Sequence, residues 1–177
     1  MLSKILFVIS VDWTFVSHRL HLAEKALNDG YDVAILTKFT DYRKFIESKG
    51  IKTYTWNFSR KSLSPLNAII SIFELWKTII IYRPNLIHSV AIKPVIYTGL
   101  IKKFYKKFSF VGALGGLGFI FSSEKTSAKL LKILIKFLLS FSLSDKKNKL
   151  ILQNRDDEKI IFKSKLDKKE QEFIIKG

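Results

Sequence analysis

Short runs of branched and apolar residues alternate with segments whose apolar residues recur at helical spacing, and the alternation runs the length of the chain. The first run, Lys4–Ser10 (KILFVIS), is apolar almost without interruption, as a strand buried on both faces has to be. In Phe15–Asn28 the residues Val16, Leu20, Ala23 and Leu27 recur as on one helix face. Gly30 then stands where a helix C-cap needs a residue free to take positive φ. Tyr31–Thr37 reads as a second strand. Asp41–Ser48 reads as a short helix with Asp41 at its N-cap and Gly50 past its end, and Ile51–Thr55 as a third strand. Ser64–Pro65 opens a long helix that runs to Tyr82–Arg83, ahead of Pro84. Leu86–His88 is a strand, Lys93–Lys103 a helix, Phe108–Ala113 a strand and Gly115–Phe119 a glycine-rich loop. Ser127–Leu143 is a helix, Lys149–Leu152 a strand, Asp156–Lys163 a helix and Glu172–Ile175 a last strand.

Strands that alternate with helices predict an α/β fold: a parallel sheet with helices on both faces. Right-handed crossovers make it a Rossmann-like, doubly wound domain. Ligands of such folds bind at the carboxyl ends of the strands, where the strand order reverses. The loops to inspect are therefore Val11–Thr14, Lys38–Thr40, Trp56–Ser59, Ser89–Lys93, Leu114–Phe121 and Gln153–Arg155.

A length of 177 residues fits one such domain, and the chain has no cysteine for a disulfide, a thiolate metal site or a thiol nucleophile. The net charge is +16, from 31 Lys and Arg against 15 Asp and Glu. Such a charge favours anionic partners, although a lysine-rich composition on every solvated face produces the same total. The apolar start is ended by Asp12 with no small-residue cleavage site, so no secretion signal is expected. The longest apolar regions, Ala68–Ile81 and Leu130–Phe141, are both interrupted by charges and fall short of the roughly 18 uncharged apolar residues that mark a membrane span. The expectation is a cytoplasmic protein, peripheral at the inner face of the plasma membrane.

Several chemistries lack their residues. The first turn, Ser10-Val11-Asp12-Trp13-Thr14, has no glycine to let a dinucleotide phosphate approach the backbone, and no phosphate-cradling loop ending in Gly-Lys-Ser/Thr occurs. His18 and His21 share a helix face without a third ligand, so no metal and no cofactor are expected.

Six strings, in order, carry a family resemblance. Val16-Ser17-His18-Arg19-Leu20-His21-Leu22-Ala23, followed by Gly30-Tyr31-Asp32-Val33, resembles the first strand–helix–strand unit of family 4 glycosyltransferases (glycosyltransferase group 1). Arg83-Pro84-Asn85-Leu86-Ile87-His88 is similar to that family's R-P-D-x-(I/V)-H strand. Lys93-Pro94, Gly99-Leu100 and Gly116-Leu117-Gly118 are similar to the K-P…G…G-L-G of members acting on lipid-linked saccharides. Leu152-Gln153-Asn154-Arg155-Asp156-Asp157 resembles x-Q-N-x-D-D, and Ile174-Ile175-Lys176-Gly177 the start of the G-S-G-V linker. One departure is plain: Asp12-Trp13-Thr14-Phe15 replaces the Gly-Gly pair that many members carry after the first strand.

The resemblance implies the N-terminal half of a GT-B fold, the half that holds the acceptor. Residues 1–177 form one domain in that reading, and the donor-binding domain lies outside this chain. It implies that His88 touches the donor sugar and helps to fix its reacting face. Arg19, with His18 at the start of the first helix, is a candidate for an acceptor phosphate, and Lys93 for a pyrophosphate. Gly115, Gly116 and Gly118 are candidates for lining the cleft, and Asp12 is a candidate base toward an acceptor hydroxyl.

Lys125, Lys129, Lys132 and Lys136 fall within about 60° of one another at about 100° per residue, on a helix that is otherwise mostly apolar. Two readings stand: lysines reaching to lipid phosphates, or an exposed edge of a helix packed on its other sides. Lys102, Lys103, Lys106 and Lys107 add a second basic and aromatic patch.

The preferred function is transfer of a sugar from a UDP- or GDP-linked donor to a lipid-linked saccharide acceptor at an anionic membrane surface, by a retaining enzyme in surface polysaccharide assembly. The isolated domain is expected to be inactive. The alternative is a docking or acceptor-binding subunit of a split transferase. Nucleic acid is not an expected partner, because the basic residues are interleaved with aliphatics rather than arranged for base stacking.

Overall fold

A computed structural model of the chain describes residues 2–60, 62–115, 126–143, 148–152 and 172–174; for 126–132 and 172–174 it describes the backbone alone. The strands are β1 (Lys4–Ile9), β2 (Asp32–Thr37), β3 (Lys52–Thr55), β4 (Leu86–Val90), β5 (Ser109–Leu114), β6 (Lys149–Leu152) and β7 (Glu172–Ile174). They form one parallel sheet in the order β3-β2-β1-β4-β5-β6-β7. The helices are α1 (Asp12–His18), α2 (Leu20–Asn28), α3 (Arg43–Ser48), α4 (Pro65–Tyr82), α5 (Ile92–Phe104) and α6 (Thr126–Leu143).

The sheet is covered twice because both of its faces are apolar. Along β1, Leu6 and Val8 point into one core and Phe7 and Ile9 into the other; β2 repeats this with Ala34 and Leu36 against Val33 and Ile35. The first core takes Leu75 and Ile79 of α4, Val95 and Ile101 of α5, and Leu139 and Leu143 of α6. The second takes Phe15 of α1, Ala23 of α2 and Ile46 of α3. From β1 the chain winds outward through β2 to β3, returns along α4, and winds outward the other way through β4 and β5. The strand order therefore reverses between β1 and β4, which is where a doubly wound sheet opens its crevice.

The doubly wound parallel sheet read from the sequence is the observed fold. Gly30 (φ +85°) and Gly50 (φ +81°) both take the left-handed conformation that the helix ends require. Two boundaries differ in ways that matter. The single helix expected over Phe15–Asn28 is two, because Arg19 leaves helical geometry (φ −135°, ψ −10°). That break lets α1 bury Phe15 at the exit of β1 while α2 seats Ala23 on the sheet. Asp41 does not cap α3: Tyr42 precedes the first turn and no side chain caps it. The helix expected over Asp156–Lys163 and the glycine loop beyond Gly115 lie outside the described residues.

Helix α4 is long and apolar enough to cross a membrane by length and composition. Its place in the fold is nevertheless the β3–β4 crossover, with Ser71, Leu75, Thr78, Ile79 and Tyr82 buried and the indole of Trp56 donating to the Ser71 carbonyl at 3.0 Å. Lys102 also departs from the expected surface patch. It is buried, and its ammonium donates to the Phe108 carbonyl that ends the turn after α5.

Helices α5 and α6 meet where α5 has no side chain. A Cβ on Gly99 would lie 2.5 Å from Ser142 Cβ and 2.7 Å from the Ser142 carbonyl oxygen, while Ser142 Oγ donates to the Ile96 carbonyl at 3.2 Å. Alanine favours a helix over glycine by about 1 kcal/mol, but here it meets backbone that cannot swing aside. Gly99→Ala is expected to destabilise the fold by about 1–2 kcal/mol net, read as a lower urea midpoint; an unchanged or raised midpoint would show that the helices separate freely.

Candidate functional site

The crevice at the strand reversal holds a cleft of about 230 Å³. One wall is the α1–α2 junction, with Thr14, His18 and Arg19. The other is the ends of β4 and β5, with Val90, Ala91, Leu114 and Gly115. Sequence reasoning had placed His18, Arg19 and Gly115 here, and all three line the cleft. Gly116 and Gly118 lie outside the described residues.

Arg19 stands where the helix breaks. Its Nη1 donates to the His18 carbonyl at 2.8 Å, and its Nε is buried with no hydrogen-bond partner among the described residues. Burial pushes its pKa down without discharging it. A guanidinium half withdrawn from water with an idle donor has the chemistry to donate to an anion.

His88 sits lower than expected. The strand that was to end at His88 continues to Val90, so the imidazole lies within the sheet layer, 93% shielded, beneath the cleft whose wall begins at Val90. It meets the Phe7 ring edge-on at 5.5 Å, and its Nε2 has no hydrogen-bond partner among the described residues. Its pKa is lowered to about 4: burial disfavours the imidazolium, the charge of Arg19 disfavours it further, and a hydrogen bond with the Val111 backbone opposes both. The geometry makes it a neutral residue that supports the cleft from below.

Asp12 and Lys93 hold loops. The Asp12 carboxylate is fully buried. Its Oδ1 accepts from Trp13 N (2.9 Å) and Thr40 Oγ1 (2.7 Å), and its Oδ2 from Thr40 N (2.8 Å) and Tyr42 N (3.0 Å). Burial acts to raise its pKa, but the bonds from Thr40, Tyr42 and Trp13 together outweigh it and hold the carboxyl below its ordinary value. With every lone pair occupied, this carboxylate has no site left for a substrate proton, contrary to the role expected of it. Lys93 was expected to meet a pyrophosphate; its ammonium instead donates to the carbonyls of Ser59 (3.0 Å) and Ser62 (2.5 Å) and lies over the Phe58 ring.

Ala91 is the residue that sequence reasoning missed. It caps α5, lines the cleft and holds φ +84°, ψ 162°, a conformation strained for any residue with a Cβ. Its N–H donates to the Ala113 carbonyl at 3.0 Å and ties the two strand ends together. Glycine is the usual mark of such a turn, and an alanine gives no signal.

The unfolded chain titrates His88 near the ordinary histidine value of about 6.5, the folded chain near 4. Its contribution to stability is complete above the first value and is lost as pH falls toward the second, because the unfolded state then takes up the extra proton. The urea midpoint is expected to fall between about pH 7 and pH 5, and to fall less in His88→Gln. A His88 ring resonance that titrates near 6.5 would show instead that the imidazole reaches water.

Solved structures share this architecture. A glycosyltransferase from Rickettsia africae superposes with a TM-score of 0.67 at 13% identity, over 98% of this chain and 43% of its own. A sucrose-phosphate synthase from Thermosynechococcus elongatus superposes at 0.65 and 14%, over 98% and 48%. A UDP-GlcNAc 2-epimerase from Methanocaldococcus jannaschii does so at 0.61 and 12%, over 97% and 45%. At such identities the likeness is one of fold, and the chain spans less than half the length of each. No curated protein matches the sequence. The profile of the family described as Glycosyl transferase 4-like matches residues 4–154. With that match laid over a GT-B-type Rossmann sheet, the chain belongs to the glycosyl transferase 4-like family.

Proposed function

We propose that this chain is the acceptor-holding part of a retaining glycosyltransferase, which moves a sugar from a UDP- or GDP-linked donor to a lipid-linked saccharide for surface polysaccharide assembly. Arg19 carries the reading. Its half-buried guanidinium, with an unpartnered donor, lies on the wall of the crevice where a doubly wound sheet takes its ligands. There it pairs with an acceptor phosphate, and His18 and Gly115 frame the approach. The chain's own residues contribute binding and electrostatic positioning. The donor comes on a further domain or partner chain, in keeping with the fraction of the matched structures that this chain spans.

The outer surface of the α4–α5–α6 layer supports work at a membrane. On α4, Leu66, Ile69, Ile70 and Phe73 recur at one helical face and are exposed, with exposed Lys77 next in the stripe. On α6, Ile133, Leu134, Phe137 and Phe141 are exposed, and Phe104 at the end of α5, the helix that contacts both α4 and α6, is 87% exposed. Of the expected lysine stripe, one side chain lies among the described residues. Lys136 is half-buried and engaged; Lys125 and the side chains of Lys129 and Lys132 lie outside the described residues. Among the described side chains of α6, Ile133, Leu134, Phe137 and Phe141 are exposed where Lys136 is not. Charge points the same way: from Leu75 to Ser144 the chain has eleven lysines and arginines and one acidic residue, Glu124. An apolar face within so basic a segment fits an anionic bilayer, at the cytoplasmic leaflet.

Transfer is measured with the complete enzyme and a polyprenyl-pyrophosphate saccharide. Arg19→Ala is expected to lower kcat/KM by about 10- to 100-fold. The 177-residue chain alone is expected to turn over no UDP- or GDP-sugar. Full activity of the variant would remove Arg19 from the site, and turnover by the chain alone would refute the divided donor site. For docking, Phe73→Ser and Phe137→Ser are each expected to weaken co-sedimentation with vesicles containing anionic lipid by about tenfold. Unchanged sedimentation in both variants, or equal binding to zwitterionic vesicles, would sink the membrane reading.

A further inference from the structure

A second cleft, of about 350 Å³, opens on the carboxyl ends of β1, β2 and β3. Its walls are the residues after β1 (Ser10, Trp13), after β2 (Lys38, Thr40) and after β3 (Ser59, Arg60). Apart from Trp13, in the first turn of α1, these walls belong to loops, and loops move unless something holds them. Two charged residues hold them. Asp12 fastens the Thr40–Tyr42 loop by three hydrogen bonds and fixes Trp13 by a fourth. Lys93 reaches from α5 to fasten the loop after β3 through two carbonyls, Ser59 and Ser62. Asp12 is withdrawn from water and Lys93 partly so, which is unfavourable on its own, and the structure gained by it is the shape of this cleft.

The groups left open inside the frame have a consistent chemistry. Trp13 is 45% exposed, so an indole face is available. Lys38 and Arg60 are exposed, and among the described residues neither has an ion-pair partner. Hydroxyls of Ser10, Thr40 and Ser59 line the same space. The apolar face of a pyranose packs on an aromatic ring, hydroxyls exchange hydrogen bonds with its own, and paired cations recognise phosphate or carboxylate.

We propose that this cleft is a subsite for an anionic sugar, one saccharide unit with its ring on Trp13 and its charge on Lys38 and Arg60. The charge is either the phosphate of a lipid-linked saccharide or the carboxylate of an acidic sugar. The purpose of the subsite rests on the acceptor-holding reading above, but its existence is a matter of binding and is tested without catalysis.

Binding is followed by tryptophan fluorescence, since Trp56 is fully buried and Trp76 half-buried while Trp13 faces the cleft. The probes are glucose 1-phosphate, glucuronic acid, methyl glucoside, inorganic phosphate and uridine monophosphate. One of the two charged sugars is expected to bind at least about tenfold more tightly than methyl glucoside or phosphate alone. Preference for glucose 1-phosphate identifies a phosphosugar, and preference for glucuronic acid an acidic sugar. Lys38→Ala and Arg60→Ala, both at exposed positions, are each expected to weaken that binding by about tenfold with the melting temperature unchanged. Trp13→Phe removes the fluorescence response, and isotope-edited amide shifts then report the binding. Equal affinity for methyl glucoside or phosphate, tighter binding of uridine monophosphate, or no effect of either cation variant would overturn the proposal. An enzyme that transfers no sugar leaves these binding results standing, so the two readings fail separately.

Discussion

Leu6 and Val8 face one helix layer and Phe7 and Ile9 the other, and the need to cover both faces of β1 organises the rest of the domain. A strand that is apolar on both sides cannot lie at a surface. It takes parallel neighbours, each reached by a helical crossover of fixed hand. Two outward windings from one central strand follow, with a reversal between β1 and β4 and a crevice above it. The positions of Arg19, Ala91 and Gly115 are consequences of that winding, since each lies just beyond a strand or at the break of the first helix.

Burial of charge distinguishes the two clefts. On the wall of the reversal crevice Arg19 has an idle donor, and beneath it His88 has an unpartnered Nε2 among the described residues; burial first, and then the charge of Arg19, depresses the protonation of His88. Around the second cleft, Asp12 has every lone pair occupied and Lys93 directs two of its three N–H donors to backbone carbonyls. Arg19 retains binding capacity on the cleft wall, whereas Asp12 and Lys93 hold backbone in place. A charged residue near a site can thus act on the substrate or on the shape of the site, and the number of its occupied lone pairs or donors tells which.

The fold was legible because its signal is a period. Runs such as KILFVIS and helices ended by Gly30 and Gly50 declare themselves along the chain, and the helix from Pro65 to Tyr82 was marked at both ends by proline. The cleft was legible only in outline. Arg19 and His18 were found because a motif drew the eye to them. The break at Arg19 was not, because the apolar spacing runs through it uninterrupted. His88 was set too high because the strand was ended at the motif, two residues early. The roles of Asp12 and Lys93 depend on Thr40, Tyr42, Ser59 and Ser62, which are between 28 and 34 residues away, and no local pattern encodes such pairings. On α6 the spacing in the sequence left open which face the domain would cover. Leu139 and Leu143 went inward and Phe137 and Phe141 stayed out.

The layer formed by α4, α5 and α6 lies flat against the sheet, so its outer surface and the strands run side by side. A planar support that takes up Phe73 and Phe137 has the strands running along it rather than into it. Both clefts lie at the strand ends, and they then open toward the horizon of that support. On the membrane reading proposed above, a molecule tethered to the same plane would enter by sliding sideways, without being lifted out of it, and diffusion confined to two dimensions would be enough to deliver it.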